Sequence, residues 1–229
     1  MQRIFITRSL KENSPFLNAL AGYAFHVEGH SLIHFTAIPF KQIPETDWIF
    51  FYSQKAVAFF LQRVKEIELV LTPGLKWGVI GSATSKALEH HGIHPDFIGS
   101  GEPNISARHF LPLAKGQRVL FPRAAQSRRS VQQILSTRIE VYDLIVYKNT
   151  IDKKVRRPEA DILIFTSPLN AQAYFECRQP SEKVKIIAIG PTTASALQRL
   201  GAKNIITAQE PSEKGLAKAV VIEIDNDFY

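Results

Sequence analysis

The chain has 229 residues, 45% of them hydrophobic and 21% charged, with a formal net charge of +7 and a sequence pI near 9.5. That length holds two small domains or one large one, and the composition is that of an ordinary globular protein. One cysteine, Cys177, excludes an internal disulfide and a thiolate metal cage; with no signal peptide at the N-terminus and no apolar run near the roughly 20 residues that cross a bilayer, the expectation is a soluble cytoplasmic protein.

Taken in order, Arg3-Ile4-Phe5-Ile6-Thr7-Arg8 reads as a short buried strand ending in arginine, and a helix carrying Leu20 follows. Leu32-Ile33-His34-Phe35 reads as a second strand, with a linker-like stretch at 36–46, and Ile49-Phe50-Phe51-Tyr52-Ser53 as a third, leading into an Ala-rich apolar helix over 56–64. Trp77-Gly78-Val79-Ile80-Gly81 is a strand that breaks at glycine and runs into a helix closed by Gly92, and a terminal segment begins at Glu102.

The same order then recurs. Arg118-Val119-Leu120-Phe121-Pro122-Arg123 matches the first strand, Leu135 sits where Leu20 does, and Leu144-Ile145-Val146-Tyr147 matches the second strand. A polar, charged stretch at 148–158 precedes Leu163-Ile164-Phe165-Thr166-Ser167, after which Pro168 gives the Ser-Pro signature of a helix start. Ile186-Ile187-Ala188-Ile189-Gly190 repeats the glycine corner, its helix closes at Gly201, and a terminal segment begins at Glu210. Gly, Thr, Ala, Leu and Gly fall at the same offsets in both copies: Gly81, Thr84, Ala87, Leu88, Gly92 and Gly190, Thr193, Ala196, Leu197, Gly201. A repeat near 110 residues is a domain duplication, too long for a solenoid. Short apolar strands alternating with helices predict α/β units around parallel sheets.

A strand-to-helix glycine corner leaves backbone N–H groups at a helix start, which favours anions. Two such corners suggest two half-sites facing one negatively charged ligand. The basic balance either serves solubility alone or answers an acidic partner.

Phe165-Thr166-Ser167-Pro168, Ile189-Gly190-Pro191-Thr192-Thr193, Val146-Tyr147-Lys148-Asn149-Thr150, Val119-Leu120-Phe121-Pro122-Arg123 and the tail from Glu210 to Leu216 together resemble uroporphyrinogen-III synthase over essentially the whole chain. The first half departs from that pattern at Tyr52-Ser53-Gln54-Lys55 and in a looser Gly81–Thr84 turn. The resemblance implies two similar α/β domains with parallel sheets flanked by helices, joined by two extended linkers with a cleft between them. One would comprise 1–36 plus 148–229 and the other 37–147. It also implies a cyclising hydro-lyase that takes hydroxymethylbilane, releases its hydroxyl as water, inverts the fourth pyrrole ring and closes the macrocycle, in haem and related tetrapyrrole biosynthesis. No metal or organic cofactor, no nucleic acid and no membrane is implied, and a monomer is the default state.

On this reading, the polycarboxylate substrate is held by Thr7, Arg8, Ser53, Gln54, Gly81, Thr84, Arg123, Arg128, Ser167, Pro168, Gly190, Thr192 and Thr193, while Tyr147 assists loss of the hydroxyl as proton donor. Plainer roles compete at several positions. Tyr147 could merely pack at a strand end with its hydroxyl in water, Thr84 and Thr193 could be caps, and Arg123 with Arg128-Arg129 could be a solvated helix start near Ser127. Of the last two arginines the resemblance favours Arg128, and Lys55 reads as a surface lysine at the cleft mouth.

His26, His30 and His34 do not keep helical spacing and lack a partner that would complete a zinc set. His90, His91 and His94 surround a helix end, where cations suit the negative pole. Gly99-Ser100-Gly101 lacks the third glycine of a dinucleotide fingerprint and a helix of the proper unit. Two other functions compete. A non-catalytic sensor of tetrapyrrole-like or other anionic ligands would bind hydroxymethylbilane yet leave the type I isomer to form spontaneously. A nucleic-acid binder is suggested by the pI alone and lacks any recognition motif.

Overall fold

The computed structural model describes residues 1–225. They divide into two compact units, Met1–His34 with the chain from Thr150 on, and Phe35–Asn149.

The first unit carries β1 (Gln2–Ile6), α1 (Pro15–Leu20) and β2 (Phe25–Gly29) from the start of the chain. After the second unit's elements, introduced below, the chain returns to it with β9 (Ile162–Phe165), α6 (Pro168–Phe175), β10 (Lys185–Ala188), α7 (Pro191–Arg199), β11 (Ile205–Thr207) and α8 (Glu213–Asp225). Its five strands are all parallel, in the order β11-β10-β9-β1-β2. Ile162-Leu163-Ile164-Phe165 is buried at every position, as a central parallel strand covered on both faces must be. Phe5, Leu163, Phe165 and Ile186 pack on one face against α6 and α7, and Ile4, Ile6, Ile164 and Ile187 on the other against α1 and α8.

The second unit holds β3 (Ile33–Ala37), which the chain enters at its first residues, then β4 (Trp48–Phe51), α2 (Gln54–Glu66), β5 (Lys76–Val79), α3 (Ser82–Glu89), β6 (Phe97–Ile98), α4 (Pro103–Ala114), β7 (Arg118–Ala124), α5 (Ser130–Leu135) and β8 (Glu140–Ile151). The sheet order is β3-β8-β7-β4-β5-β6. Every pairing from β8 to β6 is parallel. Beside β8, Asp152 N–H donates to Leu32 O and Ile38 N–H to Val146 O, so β3 runs antiparallel to it at the edge. Ile49, Phe51 and Leu120 face α2 and α3, while Trp48, Phe50 and Phe121 face α4 and α5.

The two sheets are the same design assembled from opposite pieces of the duplication. In each, the opening β-α-β of one half lies beside the later strands of the other: β1 against β9, and β7 against β4. Those two pairs are where strand order reverses, the place where open α/β sheets bind ligands at the carboxyl ends of their strands.

Several expectations need correction. The second strand of the first half is β2, whose His26 and Glu28 hid it from a hydrophobicity pattern; Leu32–Phe35 instead introduces the edge strand β3. The polar stretch at 148–158 begins as strand, because β8 runs unbroken to Ile151. The segments after Glu102 and Glu210 are helices, α4 and α8, so a helix does follow Gly99-Ser100-Gly101. It is capped by Glu102, whose carboxylate accepts from Asn104 and Ile105 N–H and thereby takes up the donors an anion would need.

Candidate functional site

In the second unit, β4 leads into Tyr52 and Ser53. Ser53 caps α2 by accepting the Ala56 N–H at 3.2 Å, and its Oγ lies 3.3 Å from the Tyr147 hydroxyl. Tyr147 is 7% exposed, stacked on Phe59 at 5.2 Å between centroids and tilted against Phe35 at 6.0 Å. Its position depends on a β-bulge. Tyr142 and Leu144 face the α2 side with Val146, and strict alternation would send Tyr147 to the opposite face. The register slips there, Arg123 facing Ile145 but Ala124 facing Tyr147, and this turns the tyrosine toward Ser53. The hydroxyl is therefore held against a helix start, a different environment from a strand end open to water.

Gly81 opens α3 in extended backbone with no side-chain cap. Its carbonyl takes the Thr84 and Ser85 N–H groups, leaving those of the exposed Ser82 and Ala83 without a protein acceptor among the described residues. Gln54 is exposed at the first position of α2, and Thr84 is buried.

Arg123 is not part of a solvated helix start. It lies on β7 at 9% exposure, with Nε 2.8 Å from Asp143 Oδ1 and Nη1 donating to Ala124 O at 2.9 Å. The other oxygen of Asp143 receives Arg129 Nη2 at 2.6 Å, and Gln132 Nε2 donates to Oδ1. Gln132 also accepts the Tyr52 hydroxyl at 2.5 Å, and its own N–H donates back to that oxygen. Burial pushes the Tyr52 pKa above its ordinary value, so the phenol stays protonated as the donor this arrangement needs. Two guanidiniums on one carboxylate leave an excess positive charge. Arg129, in left-handed backbone at φ 57, is the one tied down, while Arg128 is exposed and forms no ion pair among the described residues.

The first unit repeats this frame with different side chains. Where β1 and β9 meet, Thr7 is buried; its Oγ1 accepts the Thr166 N–H at 3.0 Å and its carbonyl accepts the Thr166 hydroxyl at 2.9 Å. The Thr7 hydroxyl thus locks the two strands together. Arg8, just beyond β1, pairs with Glu213 at 3.4 Å. Ser167 caps α6 by accepting both N–H and Nδ2 of Asn170, with Pro168 in the first turn. Gly190 opens α7 uncapped, its carbonyl taking the Thr193 and Ala194 N–H groups. Pro191 has no N–H, so the exposed Thr192 supplies the free donor, and Thr193 is buried like Thr84.

Each unit therefore gathers one set of its sequence-predicted residues at the carboxyl end of its sheet. In the second unit these are Ser53, Gln54, Gly81, Thr84, Arg123 and Tyr147; in the first, Thr7, Arg8, Ser167, Pro168, Gly190, Thr192 and Thr193. Asp143, Gln132 and Thr166 escape the sequence reading, which sets Arg129 behind Arg128 and takes Tyr52 only as part of a departing motif. Thr166 lies inside a quoted motif, and Asp143 is an isolated acid in an apolar strand, a usable signal once its strand is paired with that of Arg123. Among the histidines, His34 meets Asp152 at 2.5 Å and His30 meets Glu28 at 3.6 Å as separate pairs, so acidic partners do exist there. No group of three or more potential metal ligands occurs among the described residues, and no helix among them is long and apolar enough to cross a membrane.

Residues 31–218 match the family model for uroporphyrinogen-III synthase HemD. The uroporphyrinogen-III synthase of Chlorobaculum parvum is 27% identical over 244 aligned positions, covering 96% of this chain and 98% of that protein. The chloroplastic enzyme of that name from rice is 24% identical, covering 95% of this chain and 79% of its own. Crystal structures of the synthases from Helicobacter pylori and Thermus thermophilus superpose with TM-scores of 0.72 and 0.65, at 22% and 18% identity. They cover 98% and 99% of this chain and the full length of both, and show the same fold.

Proposed function

Since the chain belongs to the uroporphyrinogen-III synthase family, we propose that it closes linear hydroxymethylbilane into the type III macrocycle, inverting the last pyrrole ring and releasing water. The observation that carries this reading is Tyr147, a residue 7% exposed whose hydroxyl lies 3.3 Å from Ser53 Oγ at the start of α2. The substrate's own chemistry is easy: once its terminal hydroxyl is protonated it departs as water and leaves a delocalised cation. Tyr147 supplies that proton, and the phenol is restored when the closed macrocycle loses one. Ser53 and the positive end of α2 favour the transient phenolate. Steering is the harder task, since the unassisted chain closes without inversion; water must be excluded and the last ring presented through its substituted carbon.

In the second unit, acid groups of the substrate are taken by the main-chain donors of Ser82 and Ala83, with Arg128 and the excess charge around Asp143 in support; in the first unit, Thr192 offers the same kind of donor. Thr84 and Thr193, being buried, set the corners, and Thr7 joins β1 to β9. The chain's net charge of +7 draws in a polyanion. The reaction needs no redox partner or external group. The protein acts as a monomer in the cytoplasm, where its lone exposed thiol, Cys177, stays reduced. The test is to mix freshly made hydroxymethylbilane with the protein, oxidise the product and separate the isomers. A predominance of type III is expected; type I alone, at the spontaneous rate, overturns the reading.

A further inference from the structure

Two residues beside Tyr147 occupy positions that their own chemistry disfavours. Lys55 is the second residue of α2, a helix with no acid in its first turn, so its ammonium sits at the positive end of the macrodipole. It forms no ion pair among the described residues, and its Nζ lies 4.8 Å from the centre of the Phe35 ring. Phe35 is 39% exposed on the edge strand β3. The same ring is 6.0 Å from that of Tyr147, so a partly exposed aromatic ring and an unneutralised cation adjoin the tyrosine. Each placement costs stability alone, and together they present what an acid-bearing pyrrole offers in reverse: a flat π-surface with a carboxylate one or two carbons from its edge.

We propose that Phe35 and Lys55 form a pyrrole subsite, the Phe35 ring stacking on one ring of the substrate while Lys55 pairs with that ring's acidic side chain. This rests on the reading of Tyr147 given above and adds to it the residues that hold a ring next to the proton donor. Lys55 exchanges its present contact with the Phe35 face for a carboxylate, which its flexible stem allows.

Turnover of hydroxymethylbilane and binding of uroporphyrin III, the oxidised product, are measured for the parent protein and for Lys55→Met, Lys55→Arg, Phe35→Ala and Phe35→Trp, with circular dichroism to check the fold. Lys55→Met is expected to raise KM and the uroporphyrin Kd about fivefold, with kcat within about twofold. Phe35→Ala should raise both constants about five- to tenfold, and Lys55→Arg and Phe35→Trp should stay near the parent. Lys55 is exposed, so its substitution leaves the fold intact even should Phe35→Ala disturb β3. Parent-like KM and Kd in Lys55→Met, or equal weakening by Lys55→Arg, overturns the subsite while the parent's activity stands. A parent that neither converts hydroxymethylbilane nor binds uroporphyrin III overturns the functional reading and the subsite with it.

Discussion

Removing the Asp143 carboxylate exposes how the second unit holds a buried charge. The Arg123 side chain is only 10% exposed and that of Asp143 21%, so Asp143→Ala strands a guanidinium that keeps just the carbonyls of Ala124 and Ala125. Stranding a buried partner costs about 3–5 kcal/mol, whereas the Asp143–Arg129 contact, with Arg129 47% exposed, contributes at most about 1 kcal/mol. With partial exposure of Asp143 the lower end applies, and about 3 kcal/mol is expected for Asp143→Ala. Gln132 loses an acceptor in this variant and in the double variant alike, so a cycle with Arg123→Met cancels that cost. The coupling energy should be about 2–3 kcal/mol, the double variant being more stable than Asp143→Ala alone. Urea unfolding followed by tryptophan fluorescence is the assay, because Trp48 and Trp77 both lie in the second unit and report its unfolding directly. A coupling below about 0.5 kcal/mol would show that Asp143 does not hold Arg123 as described.

Other consequences follow from the same geometry. Tyr147→Phe should lower kcat about tenfold or more with KM little changed and the type III product retained, since only the proton donor is lost; an unaltered kcat removes Tyr147 from the chemistry. The two glycine corners should differ in stability: a Cβ on Gly81 would come within 3.1 Å of the Gly101 backbone, while one on Gly190 meets nothing within 4 Å. Gly190→Ala should therefore stay within about 0.5 kcal/mol of the parent and Gly81→Ala lose about 1 kcal/mol or more, read from urea midpoints. Tyr52 gives a pH dependence of known sign. Its pKa is raised in the folded state by burial, so above about pH 10 the unfolded chain loses a proton that the folded one keeps, and stability falls as pH rises. Tyr52→Phe should flatten that alkaline decline at the cost of the Gln132 bond; an equally steep decline in the variant assigns it to another group.

What the sequence disclosed, it disclosed through local chemistry. Gly81 and Gly190 opening helices, Gly92 and Gly201 closing them in left-handed backbone at φ 75 and 84, and Ser167-Pro168 starting α6 are features that a few adjacent residues decide. The parallel α/β class follows from the same short range. Ser53 caps α2 just as Ser167 caps α6, though without a following proline to announce it. What stayed hidden depends on pairing between distant strands. His26 and Glu28 concealed β2, because this edge strand turns only Phe25 and Val27 to the core and so lacks a continuous apolar run. A one-residue slip opposite Ala124 decides which face Tyr147 joins, and alternation along β8 alone gives the wrong answer. Arg123 and Asp143 are 20 residues apart and meet only because β7 and β8 lie side by side. Burial is likewise invisible to the repeat pattern: Thr7, Thr84 and Thr193, expected as ligand contacts, are buried side chains.

The central claim is that main-chain donors at an uncapped helix start hold the acid groups of the polycarboxylate, and an acid placed at such a start tests it most directly. Ser82→Asp and Thr192→Asp lie on exposed first-turn positions of α3 and α7, where a carboxylate favours the helix and the fold is kept. In a fluorescence titration with uroporphyrin III, the parent should bind, and each variant should weaken that binding about tenfold. Binding untouched by both substitutions would contradict the account.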